Sequence, residues 1–269
     1  MLISAALEDG ITEFVEDSSG NAGASMAAFA AAAGLKAHVF VPSSTSANKL
    51  NQLRVYGATV HTIEGSRESA TIAAREMADS QGILYLSHNY GPYFGEGMIS
   101  FSIEVMNSKA NEVQHVIFTV GYGSLLVGAA KGLLELFNQG TLLNMPKLHC
   151  VQTGSVSPIA SKINKQPWKW DSSKQTVASG ISVSNPPRSS QVVNAVRASG
   201  GSATTVSDSA ILKWQLSLAR TEGIFCEATS ATVLAGLESL MTTGIISQGS
   251  KVLVPITGSG LKEPGVDIH

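Results

Sequence analysis

The feature that most limits what this chain can fold into is a regular alternation of short β-branched runs with longer Ala- and Leu-rich periodic segments. Thr12 to Glu16 reads as a strand, Ala22 to Ala33 as a helix, and Ala37 to Val41 as a strand stopped by Pro42. Ser46 to Tyr56 reads as a helix, Thr59 to Ile63 as a strand, Arg67 to Ser80 as a helix, and Ile83 to Leu86 as a strand. Gly34, Gly57 and Gly82 follow the helical segments, as left-handed helix caps require. Such β-α alternation predicts a parallel sheet with right-handed crossovers. Tyr90-Gly91-Pro92-Tyr93 interrupts it. A helix over Gly95 to Asn107 follows, then strand His115 to Val120, helix Leu125 to Phe137 and strand Lys147 to Gln152. The stretch Ser155 to Gly201, with Pro158, Pro167, Pro186 and Pro187, reads as an irregular connection. Helices are expected at Ser207 to Thr221, capped by Ser207 or Asp208, and at Ala231 to Met241. A final strand, Lys251 to Ile256, enters the turn Thr257-Gly258-Ser259-Gly260. The expected fold is α/β, two lobes of parallel sheet flanked by helices: a small lobe over 12–97 and a large lobe over 98–269.

Composition narrows the function classes. Lys plus Arg is 18 and Asp plus Glu is 20, so the net charge of −2 gives no excess of cations to displace counterions from nucleic acid. Charged residues are 14% and hydrophobic residues 43%, which describes a well-buried chain and excludes a disordered one. The most apolar run, Ala22 to Leu35, falls short of the roughly 18 residues that span a bilayer. Met1 to Gly10 has no basic region ahead of an apolar core, so no secretory signal is read there. Cys150 and Cys226 are too few and too far apart for a disulfide framework, and are expected as buried thiols in a reducing, cytoplasmic compartment. The histidines at 38, 61, 88, 115, 149 and 269 show no metal-ligand spacing, so no metal is expected. A Gly-x-Ser-x-Gly nucleophile elbow is absent.

Three Gly-containing turns carry the chemical information. Asp17-Ser18-Ser19-Gly20-Asn21-Ala22-Gly23 joins a strand to a helix. Its hydroxyls, its amide and the free N–H groups of a helix start suit a carboxylate or phosphate, although Ser and Asn also occur there as simple caps. Val120-Gly121-Tyr122-Gly123-Ser124-Leu125-Leu126 is again strand then helix, with Gly permitting close approach of an anion. Leu126 stands where a dinucleotide fingerprint needs Gly, and no acid ends the next strand, which argues against a nicotinamide dehydrogenase. No Gly-Lys-Ser/Thr follows, so a P-loop is excluded. A cradle for a lone phosphate remains, beside the alternative that the glycines serve packing alone. The third turn, Thr257-Gly258-Ser259-Gly260-Leu261-Lys262, follows the last strand. Parallel α/β sheets bind ligands at the carboxyl ends of their strands, where all three turns fall.

Taken together, these motifs resemble the fold type II pyridoxal-phosphate enzymes, the threonine synthase and tryptophan synthase β-chain group. Asp17 to Ser25 is similar to that group's substrate-carboxylate loop, and Val120 to Leu126 to its phosphate-cradling glycine loop. Glu96-Gly97 with Glu104 resembles the helix entry between them. Gly223 to Ala228 resembles a segment usually reading Glu-Pro, with Ala228 departing from the Pro, and Leu253 to Lys262 resembles the terminal strand and turn of threonine synthases. The resemblance implies that pyridoxal phosphate is the cofactor. Asn21 would hydrogen-bond its phenolic oxygen, Gly121, Tyr122, Gly123, Ser124 and Leu125 would hold its phosphate, and Thr257 would face its pyridine nitrogen. Ser18, Ser19 and Ala22 would bind the substrate carboxylate, with Glu227 a weaker candidate near the ring.

The group carries its Schiff-base lysine in a Ser-x-Lys-x-Arg-like motif shortly upstream of the carboxylate loop, but residues 1–16 contain no lysine. Met1 to Ala6 resembles the helix that follows that lysine, so the resemblance implies an N-terminally shortened chain with no catalytic lysine of its own. None of the lysines present has the matching context; Lys262 lies past the last turn. The expected function is a lyase or replacement reaction on a small amino acid or its O-activated form, in a homodimer with neither nucleic-acid nor membrane partner. The alternative is a catalytically inactive protein that binds pyridoxal phosphate or another small phosphate and regulates.

Overall fold

A computed structural model of the chain describes residues 1–108, 112–171 and 173–263. Ser172 of the expected irregular connection, and residues 109–111 and 264–269 of the expected large lobe, His269 among them, lie outside the described residues. The chain divides into two compact units, residues 1–94 with 262–269, and residues 95–261.

The first unit begins with α1 (Leu2–Glu8), β1 (Glu13–Glu16), α2 (Asn21–Ala33), β2 (Lys36–Pro42) and α3 (Ala47–Val55). It continues through β3 (Thr59–Ile63), α4 (Arg67–Gln81) and β4 (Leu84–Tyr85), and α5 (Pro92–Gly97) runs across the division. Its sheet is parallel throughout, in the order β3-β2-β1-β4. Successive side chains on a strand point to opposite faces, and the core divides accordingly. Phe14, Val39 and Val41 pack with Leu2, Ile3, Met26, Ala27 and Ala30 of α1 and α2. Val15 and Phe40, one residue out of step, pack with Ala70, Ala74 and Ala78 of α4. Those alanines recur every fourth residue, so they line one face of the helix. Ser66 caps α4 by accepting the Ser69 N–H at 3.3 Å.

The second unit holds α6 (Ser100–Asn107), β5 (His115–Thr119), α7 (Ser124–Asn138), β6 (Lys147–Thr153), α8 (Pro158–Ile163), α9 (Ser189–Ala198), β7 (Ala203–Val206), α10 (Asp208–Glu222), α11 (Ala228–Thr242) and β8 (Val252–Leu253). Its parallel sheet has the order β7-β6-β5-β8. Val116, Phe118, Leu148 and Cys150 pack with α7, α8 and α9, while Ile117 and Val151 face α11. Ser207 caps α10 through the Ala210 N–H at 3.2 Å, and Asp208 instead accepts the Thr176 hydroxyl and the Val177 N–H.

The architecture is that of two parallel sheets flanked by helices, as the alternation implies. Three elements lie where the sequence reads as irregular or unassigned: α8, α9 and β7. The single helix expected over Gly95 to Asn107 is two, α5 and α6, and the last strand is only two residues long.

Candidate functional site

The strand orders place the three turns. In each unit the chain steps outward twice from its first strand, then returns to that strand's other side, so the order reverses between β1 and β4 and between β5 and β8. The carboxyl end of such a switch point is where open α/β sheets bind ligands. The Asp17–Gly23 turn follows β1, the Val120–Leu126 turn follows β5, and the Thr257–Gly260 turn follows β8.

In the first unit, Gly20 is the N-cap of α2 and no side chain caps the helix. The first turn closes with Ala24 N–H to Gly20 at 3.1 Å, so the N–H groups of Ala22 and Gly23 have no acceptor among the described residues. Ser18 is buried and its Oγ accepts the Gly20 N–H at 3.3 Å; the Ser19 hydroxyl makes no hydrogen bond among the described residues. A Cβ on Gly23 would lie 1.9 Å from the Ser18 carbonyl oxygen, so only glycine lets the helix start this close to the loop. Asn21 accepts a hydrogen bond at Oδ1 from Lys262 Nζ.

Beneath this turn lies a polar group that the sequence reading did not assemble. The Glu16 carboxylate, fully buried, accepts from His88 twice: Oε2 from the backbone N–H at 3.2 Å, and Oε1 paired with Nδ1 at 2.6 Å. Burial pushes the Glu16 carboxyl up, against the opposing pull of His88. Asp17, also buried, accepts the Thr71 hydroxyl through Oδ2. Glu16, Asp17 and His88 offer ligand atoms within 4.8 Å of one another, and no ion is present. They fasten the end of β1 to α4 and to the segment after β4, which holds the root of the turn rigid. Residues 72 apart in sequence give no local sign of such pairing.

In the second unit, Gly123 caps α7 with φ +87°, a left-handed conformation that disfavours any side chain, and a Cβ there would meet Val192 Cγ2 at 2.3 Å. Val127 N–H closes the first turn onto Gly123 at 3.0 Å, leaving the N–H groups of Ser124, Leu125 and Leu126 without acceptors among the described residues. A Cβ on Gly121 would approach the Gly180 carbonyl oxygen to 3.0 Å. The glycines are required by packing, and the helix start they permit presents N–H donors without acceptors among the described residues at its positive end.

Thr257 Oγ1 lies 3.1 Å from the hydroxyl of Ser230, which is fully buried on α11 and also accepts the Gly258 N–H at 2.9 Å. Glu227 is the N-cap of α11 without making a side-chain cap, and its Oε1 lies 2.3 Å from where a Gly258 Cβ would stand. Sequence reasoning missed Ser230. The only local signal is the hydroxyl pair Thr229-Ser230 in the first turn of a helix, and Thr229 Oγ1 accepts the Gly180 N–H at 3.1 Å.

A family model described as pyridoxal-phosphate dependent enzyme matches residues 1–258. The chain is 32% identical over 259 residues to a threonine synthase of Methanocaldococcus jannaschii, covering 94% of this chain and 63% of that protein. It is 31% identical over 270 residues to a threonine synthase of a Bacillus species, strain ULM1, covering 100% of this chain and 74% of that one. The chain thus spans under two thirds of the archaeal relative. Among solved structures it resembles a fungal L-serine ammonia-lyase from Rhizomucor miehei, with TM-score 0.81, 19% identity and coverage of 96% and 81%, and maize serine racemase, with TM-score 0.79, 21% identity and coverage of 97% and 75%. These two likenesses concern the fold.

The residues present fit the family's cofactor: the free N–H groups at the start of α7 suit a phosphate, and the Thr257–Ser230 pair offers a neutral hydroxyl donor. Sequence, topology and the match across 258 residues converge: the chain belongs to the pyridoxal-phosphate dependent enzymes of fold type II, in their threonine-synthase-like group.

Proposed function

We propose that this chain carries out lyase or replacement chemistry on a small amino acid or its O-activated form. The observation that carries this reading is the likeness to threonine synthases along this chain's length combined with an open helix start at each switch point. Bound pyridoxal phosphate would supply an aldehyde that captures amino groups and a ring that accepts electrons. The chain's own residues supply binding and orientation. Gly121, Tyr122, Gly123, Ser124 and Leu125 hold the phosphate, mainly through backbone N–H groups at the helix dipole. Ser18, Ser19 and Ala22 bind the substrate carboxylate in the same manner, and Asn21 donates to the phenolic oxygen. The Thr257 hydroxyl donates to the pyridine nitrogen; a neutral partner leaves that nitrogen unprotonated, which moderates the electron sink and favours elimination or replacement over transamination.

The functional lobes in this reading are 12–97 and 98–269, in a homodimer located in the cytoplasm. A second reading is a regulator that binds pyridoxal phosphate or another small phosphate without turnover. One experiment separates the two. The protein is loaded with pyridoxal phosphate and offered L-serine, L-threonine and their O-phosphates, while keto acid and inorganic phosphate release are followed. Release supports the enzyme, saturable binding without release supports the regulator, and neither binding nor release refutes both.

A further inference from the structure

We propose a second amino-acid site, on the first unit and separate from the Ser18–Asn21 turn, for a free amino acid with an apolar side chain. It is a cavity of about 410 Å³, within the roughly 300–1,000 Å³ typical of small-ligand pockets. It is lined by Leu2 and Ala5 of α1, by Asp9 beyond its end, by Arg75 of α4, and by residues between Leu84 and Tyr93. The lining carries one cation and one anion. The Arg75 guanidinium lies 5.5 Å from the centre of the Tyr85 ring and 5.4 Å from that of Tyr90, which restricts the orientation of its fork of N–H donors. Asp9 stands just past the end of α1. Neither Arg75 nor Asp9 belongs to an ion pair among the described residues.

Opposite charges in one cavity, neither of them in an ion pair and lined also by leucine and tyrosine side chains, complement a zwitterion with an apolar body. The fork of Arg75 matches a carboxylate, Asp9 matches an ammonium, and Leu84 and Tyr90, both well exposed, gain cover for apolar area that water otherwise contacts. None of these residues belongs to the turns assigned to cofactor or substrate, so the site is independent of the reaction proposed above.

Calorimetry on the full chain with L-leucine and L-phenylalanine tests it, with phenylacetate and phenethylamine as probes lacking one charge each. The expected result is saturable binding of both amino acids and at least tenfold weaker binding of the one-charge probes. Arg75→Met, which removes the cation, and Ala5→Trp, which fills the cavity, should each lose at least tenfold in affinity, while Ser19→Ala, altered in the other turn, retains it. Amide hydrogen exchange of residues 84–93 in the unaltered protein should slow on addition of L-leucine, a readout that no variant's folding affects. Absence of binding, binding that persists in folded Arg75→Met and Ala5→Trp, or loss in Ser19→Ala alone overturns the proposal.

Discussion

At the scale of single residues, the candidate site depends on positions where one added methyl group is intolerable. Gly23 is the sharpest case, because a Cβ 1.9 Å from a carbonyl oxygen cannot be absorbed without moving the Ser18 loop or the start of α2. Gly23→Ala is expected to lower stability by about 2–3 kcal/mol, as overpacking does, and to weaken amino-acid binding; thermal unfolding and calorimetry check the two effects. Ser230 matters for the opposite reason. It is buried and serves both Thr257 and the Gly258 N–H. Ser230→Ala leaves that N–H without its acceptor and should cost about 1–2 kcal/mol in urea unfolding. The two residues differ in how visible they are from sequence. Gly23 sits in a turn whose pattern invites attention, whereas Ser230 acquires its role only when α11 meets the last turn. The Glu16–His88 pair is hidden for the same reason: burial and a partner 72 residues away decide it.

At the scale of elements, the strands and helices with clean periodicity were readable nearly to their ends. The helices expected at Ala22 to Ala33 and Leu125 to Phe137 are observed as Asn21–Ala33 and Ser124–Asn138. The elements that escaped were masked by residues with two meanings. Pro158 marks a loop in a scan for breakers, yet opens α8 at its first position, where proline is favoured. In α9 the inward face is Val192, Val193 and Val196, β-branched residues that argue weakly for helix and follow Pro186-Pro187. The strand pair β5–β6 carries a pH dependence of its own. His149 Nδ1 accepts the Ser202 N–H at 3.2 Å, so the proton of neutral His149 resides on Nε2 and points to His115 Nδ1 at 2.9 Å. Burial first, then the nearby charges of His115 and Lys147, bring the His149 pKa down to about 4. Burial and Lys147 also lower His115. In the unfolded chain an imidazole titrates near 6.5, so the unfolded state takes up protons first as the pH falls. Stability is therefore full above about pH 7 and declines through 6.5 toward 4, with His149 accounting for about 1–2 kcal/mol at pH 5. Urea midpoints across that range should show the decline, and His149→Gln should flatten it.

At the scale of the whole molecule, two sheets with the same 3-2-1-4 order repeat one solution: a strand end at a switch point, a glycine turn and an open helix start. Sequence alone indicated the fold class and the turns, because alternation and glycine placement are local. It did not indicate that the two sheets share an order, since no internal repeat is visible and strand neighbours are set by packing across the chain. The proposed function requires pyridoxal phosphate to depend on the open helix starts, at Asn21 in the first unit and at Gly123 in the second. The most direct measurement is a pyridoxal-phosphate titration of the unaltered protein, Asn21→Ala and Gly123→Ala under identical conditions, followed by protein fluorescence. Saturable binding with one equivalent per chain is expected, weakened at least tenfold in each variant. Binding of equal strength in all three proteins, or none in the unaltered one, would contradict it.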